Sequence, residues 1–237
     1  MTGQGCNDME TLHAAVRPFD PSGAVDEALA GTVVSRRDVL TRALAAGVGA
    51  IGFLAAAKSA YGAKMPSGDV GILNYALTLE YLQSAFYTEA ERLGALTGPA
   101  KVITREVGAV ERAHVVAFQR ALGRDAVKRP AFNFREVTSD TDSFLKTAVA
   151  FEDLAVAAYK GQAAAIDSPE VLSTALAIHS VEARHAAWAR YLLGLQPAIA
   201  AFDKPRSRDE INRVVASTGF IVVRPSSRGS GAPKFTG

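Results

Sequence analysis

Cysteine is almost missing from this 237-residue chain. Its single Cys6 has no partner within the chain, which excludes an internal disulfide, a Cys-rich zinc ribbon and a rubredoxin-type iron site. Charge of one sign is lacking too: 26 Lys and Arg face 24 Asp and Glu, a formal net charge of +2. No basic stripe interleaved with aromatics occurs, so no nucleic-acid partner is expected. The balance does not point to a general membrane surface either. Over residues 69–195, glycine, proline and β-branched alternation are sparse, which argues against strands. Alanine, leucine and glutamate dominate there and favour helices. The length allows one substantial core, and a single domain is the default.

The N-terminal part, residues 1–63, reads as a leader. Residues 35–40 are SRRDVL, and the apolar, uncharged run ALAAGVGAIGFLAAA follows at 43–57. Ser35, Arg36, Arg37, Val39 and Leu40 resemble the twin-arginine (Tat) export pattern. The apolar run is too short and glycine-rich for a transmembrane helix, so a signal h-region is expected. This implies the Tat export machinery as a partner and a periplasmic or extracellular location. The region before the arginines is long and acidic, a departure from the simplest signal peptide. Export by this route suits proteins that fold, and often load a cofactor, before translocation.

Four long helices follow. The first runs from about Gly68, with Asp69 placed as an N-cap, to the break at TGPA (97–100). Leu73, Leu77, Glu80, Ser84 and Tyr87 share one stripe of it at helical spacing. The second spans about 100–122 and stops at Gly123. A proline-containing, strand-poor stretch, 124–140, then crosses the end or side of the bundle. The third helix, about 142–166, is capped by Asp140 or Thr141. The fourth starts at DSPE (167–170), with Asp167 or Ser168 as cap and Pro169 in its first turn, and ends at Gly194. The fold class is therefore all-α: two helical hairpins joined by a long crossover, over residues 68–196. Residues 197–237 hold a short helix near 207–217 and a polar tail expected to be disordered.

The polar residues of these helices form a pattern. Glu80 lies midway along the first, Glu111 and His114 on the second, Glu152 midway along the third, Glu182 and His185 on the fourth. Glu80 and Glu111 are 31 residues apart, Glu152 and Glu182 30 apart. In antiparallel hairpins of similar length that spacing puts all four carboxylates at one level. One Glu from each of two helices and Glu-x-x-His from each of the others make a di-iron or di-manganese carboxylate site. Residues i and i+3 share a helix face, so the glutamate can bridge while its histidine binds terminally. Carboxylate and imidazole suit two Fe or two Mn ions better than a soft metal. The triplet alone is weak: Glu10 and His13 form a third copy in the leader. The matched quartet is far more specific.

The segments LNYALTLEYLQSAFY, VERAHVVAF, PAFNF, IHSVEARHAAWAR and AFDKPRSRDEI resemble the bacterial ferritin-like domain family, related to plant desiccation-associated proteins. The resemblance covers roughly residues 69–217. It implies a ferritin-like four-helix bundle and a dinuclear metal site on Glu80, Glu111, His114, Glu152, Glu182 and His185. Family members often carry another acidic residue one turn after the first glutamate, where this chain has Gln83 and Ser84.

Around the site, His179 precedes Glu182 by three residues and is expected to be a partly buried histidine with a local partner. Tyr159 shares the face of Glu152; it can reach a ligand, but core packing is the expected role. Trp188 reads as core, and Tyr81 and Tyr87 receive no role. The leading functional expectation is an exported protein whose metals act on oxygen or hydrogen peroxide in stress protection, as an oxidase, peroxidase or catalase-like enzyme. Competing readings are a non-catalytic metal-binding, iron-handling or desiccation-protective protein, and a bundle with a vestigial site. A storage role requires assembly into a homo-oligomer.

Overall fold

The computed structural model describes residues 65–222. The leader expected over residues 1–63, its twin-arginine pattern and Glu10 and His13 lie outside the described residues, as does the tail beyond Val222. Helices α1 (Ser67–Leu93), α2 (Gly98–Leu122), α3 (Thr141–Ala163) and α4 (Pro169–Leu192) form the bundle, followed by the short α5 (Arg208–Thr218). Helix α1 packs along α2 and α3 along α4, and the two hairpins meet through narrower α1–α3 and α2–α4 contacts. This is a ferritin-like helical bundle with a short C-terminal helix. Among the described residues, no helix is long and apolar enough to cross a membrane.

The helix starts follow from local chemistry. The Asp140 carboxylate accepts the Ser143 N–H at 2.8 Å, and Ser168 Oγ accepts the Val171 N–H at 3.1 Å, with Pro169 in the first turn. Asp69 departs from its expected capping role. The N-cap of α1 is Pro66, which has no side-chain cap bond. Asp69 is instead fully buried and accepts the N–H groups of Asp167 (2.9 Å) and Ser168 (3.0 Å). It therefore ties the start of α1 to the start of α4, satisfying two backbone donors. Helix α3 ends at Ala163, three residues before its expected end, where the chain turns toward α4.

The crossover is not free of strand. Residues Ala131–Phe132 (β1) pair antiparallel with Ile221–Val222 (β2), and the Asn133 N–H bonds to the Phe220 carbonyl at 2.8 Å. The crossover is thereby clamped to the segment after α5. It also delivers Phe134 to the core, 5.6 Å from the ring of Phe86, which stacks on Phe144 at 4.9 Å.

Two apolar clusters make up most of the core among the described residues, beside a small pair, Ala117 and Ala121. One gathers Leu82, Phe86, Tyr87, Ile103, Val107, Phe134, Phe144, Phe151 and Ala189; the other gathers Leu73, Leu77, Phe118, Leu122, Tyr159, Val171 and Ile178. Along α1, α2 and α4, the polar residues Glu80, Glu111, His114, Glu182 and His185 fall between the two. Burial of large side chains, at about 25 cal/mol per Å² of apolar surface, supplies the stability that a polar middle layer consumes.

Helix α3 also receives the segment leading into α5. The Arg206 N–H donates to the Ala157 carbonyl at 3.1 Å, and a Cβ on Gly161 would lie 1.9 Å from the Arg206 carbonyl oxygen. Gly161→Ala is expected to destabilise by about 1–3 kcal/mol, because backbone must move aside. Gly71→Ala, whose Cβ would meet nothing within 4 Å, should instead gain up to about 1 kcal/mol of helix propensity. Urea denaturation of both variants checks the opposite signs.

Candidate metal centre

Each of the four helices places a glutamate in the middle layer, and Glu80, Glu111, Glu152 and Glu182 are all fully buried. His114 and His185, one helical turn beyond Glu111 and Glu182, are each 7 % exposed. The structure brings all six residues together. His114 Nδ1 lies 3.2 Å from Glu80 Oε2, 3.2 Å from Glu182 Oε1 and 3.5 Å from Glu111 Oε2. His185 Nδ1 lies 3.0 Å from Glu111 Oε1, 3.4 Å from Glu152 Oε2 and 4.0 Å from Glu182 Oε2.

Two four-residue groups result, each with its ligand atoms within 4.8 Å of one another. One is Glu80, Glu111, His114 and Glu182; the other is Glu111, Glu152, Glu182 and His185. Glu111 and Glu182 belong to both. Despite these short distances, Glu111 Oε1 and Oε2, Glu152 Oε2, Glu182 Oε1 and His185 Nδ1 are buried with no aligned hydrogen-bond partner. These atoms lie close to one another at the centre of the two groups. Buried charge without a partner is costly, and a cation at such a point removes the cost.

A family model described as the ferritin-like domain matches residues 68–195. The chain belongs to the ferritin-like domain family. No curated protein matches it. In this family member the donor set of oxygen and imidazole nitrogen, with the unpaired oxygens, fits a metal ion of the kind carboxylates and histidines hold.

The remaining carboxylate oxygens are held by neighbours. Tyr87 on α1 donates to Glu152 Oε1 on α3 at 2.6 Å, and Tyr159 on α3 donates to Glu80 Oε1 on α1. Each tyrosine sits seven residues after the glutamate of its own helix, so the two Glu-x6-Tyr pairs cross-bond α1 and α3. Tyr159 thus does more than pack, and Tyr87, given no role from sequence, has the equivalent one. The signal was the repeated seven-residue spacing. Gln83 Nε2 donates to Glu182 Oε2 at 3.3 Å, giving that carboxylate a neutral donor. His179 stays out of the cluster, half-buried, with a buried Nε2 that has no partner. Trp188 is partly buried against the aromatic cluster, as expected.

Electrostatics couple Glu80, Glu111, His114, Glu182 and His185. Burial, reinforced by the charge of Glu111, raises Glu80 to about 7, although His114 pulls it down. Burial and the charges of Glu111 and Glu80 push Glu182 well above the carboxylate range. Burial would also raise Glu111, but the imidazoles of His114 and His185 outweigh it and hold Glu111 low. Burial disfavours the imidazolium of both histidines. The surrounding carboxylates overcome this, raising His114 strongly and His185 to about 10. Without metal the cluster retains protons.

The sign of the resulting pH dependence follows by linkage. Glu80, raised from 4.5 to about 7, binds more protons folded than unfolded over that window, and Glu182 shifts the same way. Their contribution is fully present below pH 4.5 and is lost as pH rises toward 7 and beyond. Metal-free protein is therefore expected to lose stability from pH 4.5 to 7, and Glu80→Gln should flatten part of that slope. Urea midpoints in the presence of chelator measure it; an unchanged slope would contradict the assignment.

Proposed function

We propose that the middle layer holds two iron or two manganese ions and that the loaded protein acts on oxygen or hydrogen peroxide. The observation carrying this reading is the pair of four-residue groups that share Glu111 and Glu182. Glu80 and His114 would complete one position, Glu152 and His185 the other, with Glu111 and Glu182 common to both. Four carboxylates balance two divalent cations, so the buried layer would be neutral once loaded. When bound, such a pair supplies two-electron redox chemistry.

The chain's own residues prepare that site. Tyr87 and Tyr159 fix one oxygen each of Glu152 and Glu80, which leaves the other oxygen directed inward. Gln83 orients Glu182 in the same manner. The two apolar clusters above and below keep bulk water away from the carboxylates. The protons that Glu80, Glu182 and the histidines retain without metal must leave on loading, so uptake should weaken as pH falls.

The twin-arginine pattern supports export through the Tat route to the periplasm or beyond, with metal loaded before translocation. Protection against oxidative stress follows from that location and chemistry. The alternative is an iron-handling or desiccation-protective protein that binds metal without turnover.

Reconstituted protein is expected to hold two metal ions per chain by elemental analysis. Glu111→Ala, which removes a shared carboxylate, should lower this below one ion, whereas Glu152→Ala should retain about one. Tyr159→Phe should keep the fold and weaken metal affinity by roughly 10–100-fold. Turnover of peroxide or oxygen that disappears in Glu111→Ala supports the enzyme. Full loading with no turnover selects the iron-handling reading, and well under one ion in wild type overturns both.

A further inference from the structure

One cavity borders the carboxylate layer. It is a narrow space of about 20 Å³ between the helices, lined by Leu73, Ala76 and Leu79 of α1, Phe118 of α2, Tyr159 of α3 and Ala175 of α4, among others. That volume is the room open to the centre of a water-sized sphere, so the space holds one small molecule. Its walls are carbon. Of the polar side chains that reach it, Tyr159 is committed to Glu80, Thr174 to the Glu170 carbonyl and the Gln162 Oε1 to Arg208. The Tyr75 hydroxyl on its rim is buried with no partner.

A water in a protein interior makes about two to four hydrogen bonds, and almost none of the surface facing this space is polar, the Tyr75 hydroxyl and Gln162 amide included. Hydrogen peroxide, with two donors of its own, is disfavoured for the same reason. A small apolar molecule loses nothing by entering. The position of the cavity adds to this. The Tyr159 that lines it also donates to Glu80, and Leu79 precedes Glu80 in sequence, so one side chain separates the space from the carboxylates. On the outer side, the Arg208 guanidinium lies 4.7 Å from the Tyr75 ring centroid and donates to Gln162 Oε1 at 3.3 Å. Helix α5 thereby ties together two rim residues that belong to α1 and α3.

We propose that this cavity is a reception site for dioxygen, held beside Tyr159 and next to the carboxylate layer. It rests on the functional reading above in one respect, that the layer consumes an oxidant, and it selects oxygen over peroxide. Tyr159 is a positioning residue here, forming the wall between the two spaces.

The test uses xenon, an apolar probe that does not require metal or turnover. Crystals of the full chain pressurised with xenon are expected to show the atom beside Tyr159, and Ala76→Leu and Ala175→Leu, on opposite walls, should each exclude it. In metal-loaded protein the same variants should raise the KM for oxygen about ten-fold, with the KM for peroxide and the metal content unchanged. Circular dichroism establishes that each variant folds, and two variants guard against one failing to do so. An ordered water or an empty cavity under xenon overturns the proposal whatever the activity, as does an unchanged KM for oxygen in folded variants that exclude xenon. Xenon bound beside Tyr159 in a protein that turns over neither oxidant supports the apolar site and overturns the enzymatic reading instead.

Discussion

Four carboxylates buried at one level are the constraint around which the molecule is arranged. Left alone, Glu80, Glu111, Glu152 and Glu182 would repel each other in a medium that screens poorly. Two imidazoles, two phenols and one amide reduce that cost, and each comes from a residue fixed on a long helix. Loops could not hold so many polar groups in register without exposing them. The rigid bundle is therefore a requirement of the polar layer as much as its container.

The apolar clusters follow from the same constraint. A charged layer contributes no hydrophobic stabilisation, so the residues on either side must supply it, and they do so with unusually large side chains. Phe86, Phe134, Phe144 and Phe151 meet in edge and stacked contacts on one side of the layer. Phe134 comes from the crossover, and the strand pair with Ile221–Val222 fixes where that crossover runs. The crossover is thus part of the core.

Much of this was legible in the sequence, because it depends on local spacing. Helical periodicity and caps such as Ser168 and Asp140 set the four helices, and matched spacing of the glutamates and of Glu-x-x-His put six residues on one level. What was not legible depends on partners distant in the chain. Asp69 looked like a cap, yet its acceptors serve the backbone of residues nearly a hundred positions later. Two-residue strands carry no periodicity, so the β1–β2 clamp had no signal. Tyr87 and Tyr159 bond to glutamates on the opposite helix; their seven-residue spacing from Glu80 and Glu152 marked the pairs but not the exchange of partners. Residues beyond 65–222 carry the leader reading on sequence alone.

The division of the six residues between hairpins has a consequence for how the hairpins are joined. The α1–α2 hairpin carries Glu80, Glu111 and His114, and the α3–α4 hairpin carries Glu152, Glu182 and His185, yet each four-residue group draws on both. Neither hairpin contains a complete group by itself. A complete four-residue group therefore forms only where the two hairpins meet. An ion held in either group would join one hairpin to the other.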